Sequence, residues 1–217
     1  MVQCPSCARL SEPRLVCPQC GGPLPAETDG FAALGLARKL VIDPAALERA
    51  YHDLSRRIHP DRFAQSPVKV RDASLRGTAL LTRSYRTLRD PVGRGIYWLE
   101  LNGEKLNRNN NRVPPELADL VFEVQEQLAE LRTARGDGDG RSRELTDALA
   151  GRRSEISAAI EEAVSELHSN FKRWDAHNNN GDTAPLVAEL KAILSRIAYL
   201  RTLMRDLDGE LENARVA

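Results

Sequence analysis

The stretch RRIHPDRFAQSP, residues 56–67, decides how the first half of this 217-residue chain is organised. Upstream of it, Asp43-Pro44 predicts a helix start, because aspartate is a favoured N-cap and proline is favoured at the first helical position. Apolar residues then recur at helical spacing and form one face: Leu47, Ala50, Tyr51, Leu54 and Ile58. Pro60 ends this helix and holds His59 and Asp61 on a rigid turn.

A second long helix is expected after the turn, from about Lys69 to Leu88, and Asp90-Pro91 ends it. A short helix over GRGIYWLEL closes the segment 30–101. Two antiparallel helices joined by a loop that carries His-Pro-Asp form the simplest fold for this segment. Taken alone, the tripeptide is also compatible with a simple capped helix end.

The C-terminal half predicts an antiparallel three-helix bundle over residues 116–217. A polar, Asn-rich linker at 102–115 precedes it, and breaks at 136–140 and 177–182 separate its helices. The third helix shows the most regular spacing, alternately four and three residues, which indicates a heptad seam. That seam consists of Leu186, Leu190, Ile193, Ile197, Leu200, Met204, Leu207 and Leu211.

Residues 1–25 contain all four cysteines, in two Cys-x-x-Cys pairs: Cys4, Cys7, Cys17 and Cys20. Four thiolates at this spacing predict one structural zinc ion with no open coordination position. Disulfides are disfavoured in a reducing cytoplasm, and a redox motif is disfavoured without a βαβ context. The complete prediction is an all-α fold: a small zinc knuckle, a helical hairpin and a three-helix bundle.

Charge is distributed unevenly, although the whole chain has a formal net charge of zero. Residues 30–101 contain 13 Lys/Arg and 7 Asp/Glu, a net charge of +6, whereas residues 113–217 contain 13 and 20, a net charge of −7. This favours two domains with different partners, although two solvated surfaces of different composition would give the same sums. With no apolar run of membrane-spanning length and no signal-peptide pattern, we expect a cytoplasmic protein.

The HPD turn, the basic-faced helix before it and SYRTLRDPVGRGIYWL after it together resemble a J-domain. J-domains dock on DnaK-type chaperones and stimulate their ATP hydrolysis. The resemblance implies that His59, Pro60 and Asp61 trigger hydrolysis and that Arg56 and Arg57 steer docking. A nucleophile–base pair and a phosphate-cradling loop are both missing from the sequence pattern, so we do not expect an enzyme.

A J-domain followed by an acidic three-helix bundle resembles the HscB family of iron–sulfur co-chaperones. HPDRF at 59–63 and RDPVGRGIYWLELNG at 89–103 carry this resemblance, and the cysteine knuckle is similar to that of some members. The sequence departs from the family pattern at Thr82, Ser84 and Gly95-Ile96. The resemblance implies two partners, a DnaK/HscA-type ATPase chaperone and an IscU-like scaffold protein.

The face that contacts the scaffold is predicted from two aromatic residues outside the apolar stripes. On a helical wheel, Phe122 lies opposite the leucine and valine face of the first bundle helix, and Tyr199 lies off the seam of the third. The alternative is that they are scattered surface aromatics or pack under a loop. The family resemblance favours client binding and assigns Phe122, Glu123, Glu126 and Tyr199 to it.

Two alternative functions stay open at this stage. One is a J-domain adaptor for a different client, with the bundle as a dimerisation module. The other is a zinc-ribbon protein that binds nucleic acid. The acidic bundle disfavours the second alternative, as does the lack of interleaved basic and aromatic residues in 1–25.

Overall fold

The computed structural model describes residues 1–106, 113–134, 140–177 and 182–216. It divides into two compact units, Met1–Trp98 and Leu99–Ala217. Much of the predicted linker 102–115 and most of the predicted breaks at 136–140 and 177–182 lie outside the described residues.

The cysteine segment forms a small antiparallel sheet of two strands, β1 (Val2–Gln3) and β2 (Leu10–Ser11). Val2 pairs with Ser11 and Gln3 pairs with Leu10, and an isolated bridge joins Val16 to Pro23. Such short strands cannot fold independently. Two of the four cysteines, Cys4 and Cys17, are buried with Val2 and Leu24 in a small core of their own.

The helical part of the first unit consists of α1 (Gly30–Ala33), α2 (Pro44–Ile58), α3 (Val68–Arg89) and α4 (Pro91–Leu101) up to Trp98. The predicted start of α2 is confirmed, because Asp43 accepts a hydrogen bond from the Ala45 amide at 3.0 Å. Asp90 ends α3 and also accepts from the Gly93 amide at 2.9 Å, so it caps α4. The α2–α3 hairpin is therefore formed as the sequence predicted.

Aromatic packing and one buried cation hold the open end of this hairpin. Phe31 of α1 is fully buried, between the rings of Tyr97 and Trp98. The Arg94 guanidinium is 6% exposed and donates to the carbonyls of Leu88 and Leu40, at 2.8 and 2.7 Å. A buried arginine is tolerated where carbonyl oxygens satisfy its donors.

The second unit contains α5 (Ala118–Ala134), α6 (Gly140–Ala176) and α7 (Ala184–Val216). Ion pairs join α6 to α7 in antiparallel order, Arg153 with Asp208 at 2.6 Å and Arg173 with Glu189 at 2.5 Å. Apolar side chains of all three helices form the core. The predicted all-α fold, with a hairpin and an antiparallel three-helix bundle, is confirmed.

The predicted seam of α7 is wrong at one position. Leu203, which the heptad pattern leaves out, is 3% exposed, whereas Met204 is only half-buried. Leu194 is also fully buried. The helix packs against both α5 and α6, so it needs a wider apolar stripe than the narrow seam of a two-stranded coiled coil.

Candidate functional site

The His-Pro-Asp turn lies exposed at the closed end of the α2–α3 hairpin. His59 ends α2 and caps a short 3₁₀ helix, Pro60–Phe63. The His59 side chain is 51% exposed and that of Asp61 is 88% exposed. The Asp61 amide donates to His59 Nδ1 at 3.3 Å, so the turn is held by its own side chain. The structure thus places the three predicted trigger residues together on the surface.

Helix α3 holds the base of this turn through the last carbonyl of α2. Arg62 donates its amide to the His59 carbonyl at 3.0 Å, in the 3₁₀ pattern. The Ile58 carbonyl instead accepts from the Ser74 hydroxyl at 2.7 Å and the Thr78 hydroxyl at 3.3 Å. Neither hydroxyl residue is predicted from the sequence as part of the site, although small or hydroxylated residues at positions 74, 77 and 78 of a long helix are a signal of close approach.

The predicted docking arginines lie on the exposed side of α2. Arg56 and Arg57 are both exposed, and neither is part of the hairpin core. Arg57 approaches Asp53 at 3.5 Å, one turn earlier on the same helix. An exposed ion pair of this kind is weak, so the Arg57 guanidinium stays available to a partner.

The four cysteine sulfurs converge on one point, as the spacing predicted. All four Sγ atoms lie within 4.8 Å of one another. The Cys4–Cys20 distance is 3.6 Å and the Cys7–Cys17 distance is 3.8 Å, far longer than a disulfide bond. Sulfurs about 2.3 Å from a tetrahedral metal would be about 3.8 Å apart. The cluster therefore fits one tetrahedral metal ion.

Each Cys-x-x-Cys pair is wrapped by the same backbone turn. Ala8 donates its amide to the Cys4 carbonyl, and Gly21 donates to the Cys17 carbonyl, both at 2.9 Å. Both residues have left-handed backbone conformations, with φ of 59° and 71°. At Gly22 a side-chain carbon would lie 2.6 Å from the Ser6 hydroxyl oxygen, so any larger residue would force the Ser6 side chain to move.

Ionisation of the sulfurs also fits a cation site. Burial opposes ionisation of Cys17, but backbone hydrogen bonds from Cys20 and Gln19 outweigh it and lower its pKa to about 7. The Gly22 amide favours the Cys20 thiolate, yet desolvation and the three neighbouring sulfurs raise the pKa of Cys20 to about 12. A positive charge at the centre of the cluster would favour ionisation of all four sulfurs.

The predicted client residues of α5 differ in their solvent exposure and in their ion pairing within the bundle. Phe122 is 69% exposed, an unusual position for a phenylalanine, and Glu126 is exposed on the same helix. Glu123 pairs with Arg152 of α6, which also contacts Glu155 at 2.8 Å. Part of the Glu123 charge is therefore already neutralised within the bundle.

Tyr199 is not the free surface aromatic that the helical wheel indicated. The residue is half-buried and packs against the apolar core of the bundle. Leu203, one helical turn beyond Tyr199, is itself a core residue. We therefore expect that removing the Tyr199 ring lowers the stability of the bundle. Its assignment to client binding stays a prediction.

Curated relatives of this chain are co-chaperones. The co-chaperone protein HscB homolog of Azoarcus sp. (strain BH72) is 30% identical over 187 residues, covering 86% of this chain and 95% of the relative. The human iron–sulfur cluster co-chaperone protein HscB is 28% identical over 196 residues, covering 88% of this chain and 73% of the relative. No protein-family model matches the sequence.

The fold is shared with a solved structure. The crystal structure of human co-chaperone protein HscB matches with a TM-score of 0.61 and 23% identity, over 95% of this chain and 96% of that one. The chain belongs to the HscB co-chaperone family. Among its described residues, none of the helices has the length and apolar character needed to cross a membrane.

Proposed function

We propose that this chain is a co-chaperone of iron–sulfur cluster assembly. Its segment 30–101 docks on a DnaK/HscA-type chaperone and stimulates ATP hydrolysis, and its bundle, 116–217, holds an IscU-like scaffold protein. The observation that carries the proposal is the exposed His59-Pro60-Asp61 turn at the tip of the hairpin in a member of the HscB family.

The exposed groups of the turn support a direct role in chaperone contact. The side chains of His59 and Asp61 contribute little to the core, because both are largely solvent-exposed. Pro60 fixes the backbone between them, so their relative position changes little on binding. A preorganised polar turn loses little conformational entropy when it docks.

The basic face of α2 supplies long-range attraction in this account. The segment 30–101 has a net charge of +6, and Arg56 and Arg57 lie exposed directly before the turn. An acidic surface on the ATPase would attract this face and raise the association rate, most strongly at low ionic strength. Docking should therefore weaken as salt is added.

On the bundle, Phe122 and Glu126 are the best-supported scaffold contacts. The exposed Phe122 ring offers an aromatic anchor, a residue type that is enriched at protein interfaces, and Glu126 lies one helical turn further along the same exposed face. Glu123, which is paired with Arg152, and Tyr199, through the exposed part of its ring, are the other two scaffold contacts in this proposal.

We further propose that Cys4, Cys7, Cys17 and Cys20 hold one structural zinc ion. Four thiolates in tetrahedral arrangement are the usual donor set of a structural zinc site. The ion would neutralise the crowded sulfurs and stabilise strands that are too short to fold independently. All four donors are protein sulfurs, so the ion would not be available for catalysis.

Reconstitution of the ATPase reaction tests the proposed function. Purified chain is titrated into a DnaK/HscA-type chaperone, with and without an IscU-like scaffold, and steady-state phosphate release is measured. We expect stimulation that is larger with the scaffold present and that is abolished by His59→Gln. His52→Gln is the matched control, because His52 is an exposed histidine on the same helix, seven residues before the turn.

Two outcomes would count against the proposal. Equal stimulation by wild type and His59→Gln would remove the turn from the mechanism. Stimulation that is unaffected by the scaffold would favour a different client.

A further inference from the structure

Leu15, from the cysteine segment, is buried against the helical hairpin. It is 2% exposed and lies two residues before Cys17. A side-chain carbon built on Gly77 of α3 would lie 3.7 Å from a Leu15 methyl and 3.3 Å from an Ile58 methyl. Both methyl groups therefore lie over Gly77, where a side-chain carbon would require the Ile58 methyl to shift by a few tenths of an ångström.

Ile58 is the residue directly before the His-Pro-Asp turn, and it is fixed on two sides. Its side chain is fully buried beside Gly77. Its carbonyl accepts from the hydroxyl groups of Ser74 and Thr78. Ser74 is completely buried, so its hydroxyl has no access to water and is committed to this contact.

Leu15 is in turn fixed to the metal-binding cluster. The Leu24 amide donates to the Leu15 carbonyl at 3.0 Å, and Leu24 packs with Cys4 and Cys17 in the small core of the cysteine segment. The next residue, Val16, forms the isolated bridge to Pro23. The sulfur cluster, Leu15 and Gly77 are therefore linked step by step, and Ile58, at the base of the turn, lies on the same side of Gly77 as Leu15.

The cysteine segment also lies beside the basic face of α2. A groove of about 600 Å³ is lined on one side by Glu12, Arg14 and Pro18 and on the other by Asp53 and Arg57. The segment thus approaches both the docking face and the residue that anchors the turn.

We propose that the cysteine segment is a brace for the His-Pro-Asp turn, and that Leu15, Ser74 and Thr78 are positioning residues for chaperone stimulation. The brace fixes Ile58, and Ile58 sets where the turn begins. The stimulation part of this proposal rests on the proposed function. The positional part depends on the packing alone.

The positional part is tested by hydrogen exchange at the turn. The Arg62 amide, which donates to the His59 carbonyl, is the reporter, measured by NMR on the full-length protein. We expect Leu15→Ala, Ser74→Ala and Thr78→Val each to accelerate its exchange by about fivefold to tenfold, the effect of losing one supporting contact. Thr78→Ser keeps the hydroxyl and should leave the rate near that of wild type.

Leu88→Ala is the matched control for Leu15→Ala. Leu88 is a fully buried leucine of the same unit, eleven residues beyond Gly77 on α3 and so about 16 Å farther along the helix. Its truncation should lower the melting temperature comparably. It should leave exchange of the Arg62 amide unchanged at temperatures well below the transition.

ATPase titration separates positioning from docking. For Leu15→Ala and Ser74→Ala we expect maximal stimulation to fall by about fivefold, the factor that corresponds to the loss of one supporting contact. The concentration that gives half of the effect should change less than twofold, because Arg56 and Arg57 are unaltered. Arg57→Ala should instead raise the concentration that gives half of the effect and leave maximal stimulation near that of wild type.

The results discriminate cleanly between the two proposals. If wild type fails to stimulate any DnaK/HscA-type chaperone, the proposed function fails and the exchange data still decide the brace. If Arg62 exchange is the same in wild type, Ser74→Ala and Leu15→Ala, the brace is wrong. A loss that appears equally in Leu88→Ala also overturns it, since the effect would then be general destabilisation.

Discussion

Truncation of Phe122 gives the sharpest test of the client surface. Full burial of a phenylalanine side chain contributes about 1.5–3 kcal/mol. Because 69% of Phe122 is exposed in the free chain, burial under a scaffold protein would contribute about 1–2 kcal/mol. Phe122→Ala should therefore weaken scaffold binding by about 5-fold to 30-fold, with a change in melting temperature near zero.

Isothermal titration against the metal-free scaffold measures this change, with a melting curve on the same samples. Leu75→Ala is the matched control, because Leu75 is 57% exposed on α3, outside the bundle. It should leave scaffold affinity unaltered. Unchanged affinity in Phe122→Ala, or an equal loss in Leu75→Ala, would refute the assignment.

Further outcomes follow from the same structure. Tyr199→Ala should lower the free energy of unfolding by about 1–3 kcal/mol, measured by urea denaturation, because its ring packs on the bundle core. An unchanged free energy of unfolding would show that the ring does not contribute to the core. Ala8→Gly should raise the stability of the cysteine segment to proteolysis, by up to about 1 kcal/mol, because it relieves a left-handed alanine; faster cleavage would contradict this. Elemental analysis should return about one zinc per chain, and chelation should expose residues 1–25 to protease; a resistant metal-free segment would rule this out. Asp29→Ala should cost about 1–2 kcal/mol at neutral pH, because Asp29 caps α1 and pairs with Arg38 at 2.6 Å. Burial opposes ionisation of Asp29, but Arg38 and the capping amides lower its pKa below 3.8, so the difference between variant and wild type should shrink as the pH falls below about 4 and should not shrink above it.

The hairpin and the cysteine cluster could be predicted because local signals determine them. Asp43-Pro44 marks a helix start through its own capping chemistry, and the contact occurs as expected. The spacing of two Cys-x-x-Cys pairs likewise limits the geometry to one metal-sized cluster. Neither feature depends on knowing how distant segments pack.

The groups that position the turn could not be predicted, because they depend on long-range packing. Leu15 is an ordinary leucine in a proline-rich segment, and only the fold shows that it lies over Gly77. Ser74 resembles a solvent-facing helix residue until its hydroxyl is seen to donate to Ile58. The partial burial of Tyr199 could not be predicted from a helical wheel, because the projection of a single helix does not show that α7 packs against two neighbours.

The central claim is that the His-Pro-Asp turn stimulates a chaperone ATPase, and single-turnover ATP hydrolysis tests it most directly. A DnaK/HscA-type chaperone preloaded with ATP is mixed with wild type, Asp61→Asn or the control Asp72→Asn, an exposed aspartate on α3. We expect wild type and Asp72→Asn to accelerate hydrolysis equally and Asp61→Asn to leave it at the unstimulated rate, with identical circular dichroism spectra for all three. Acceleration by Asp61→Asn equal to that of wild type would contradict the account.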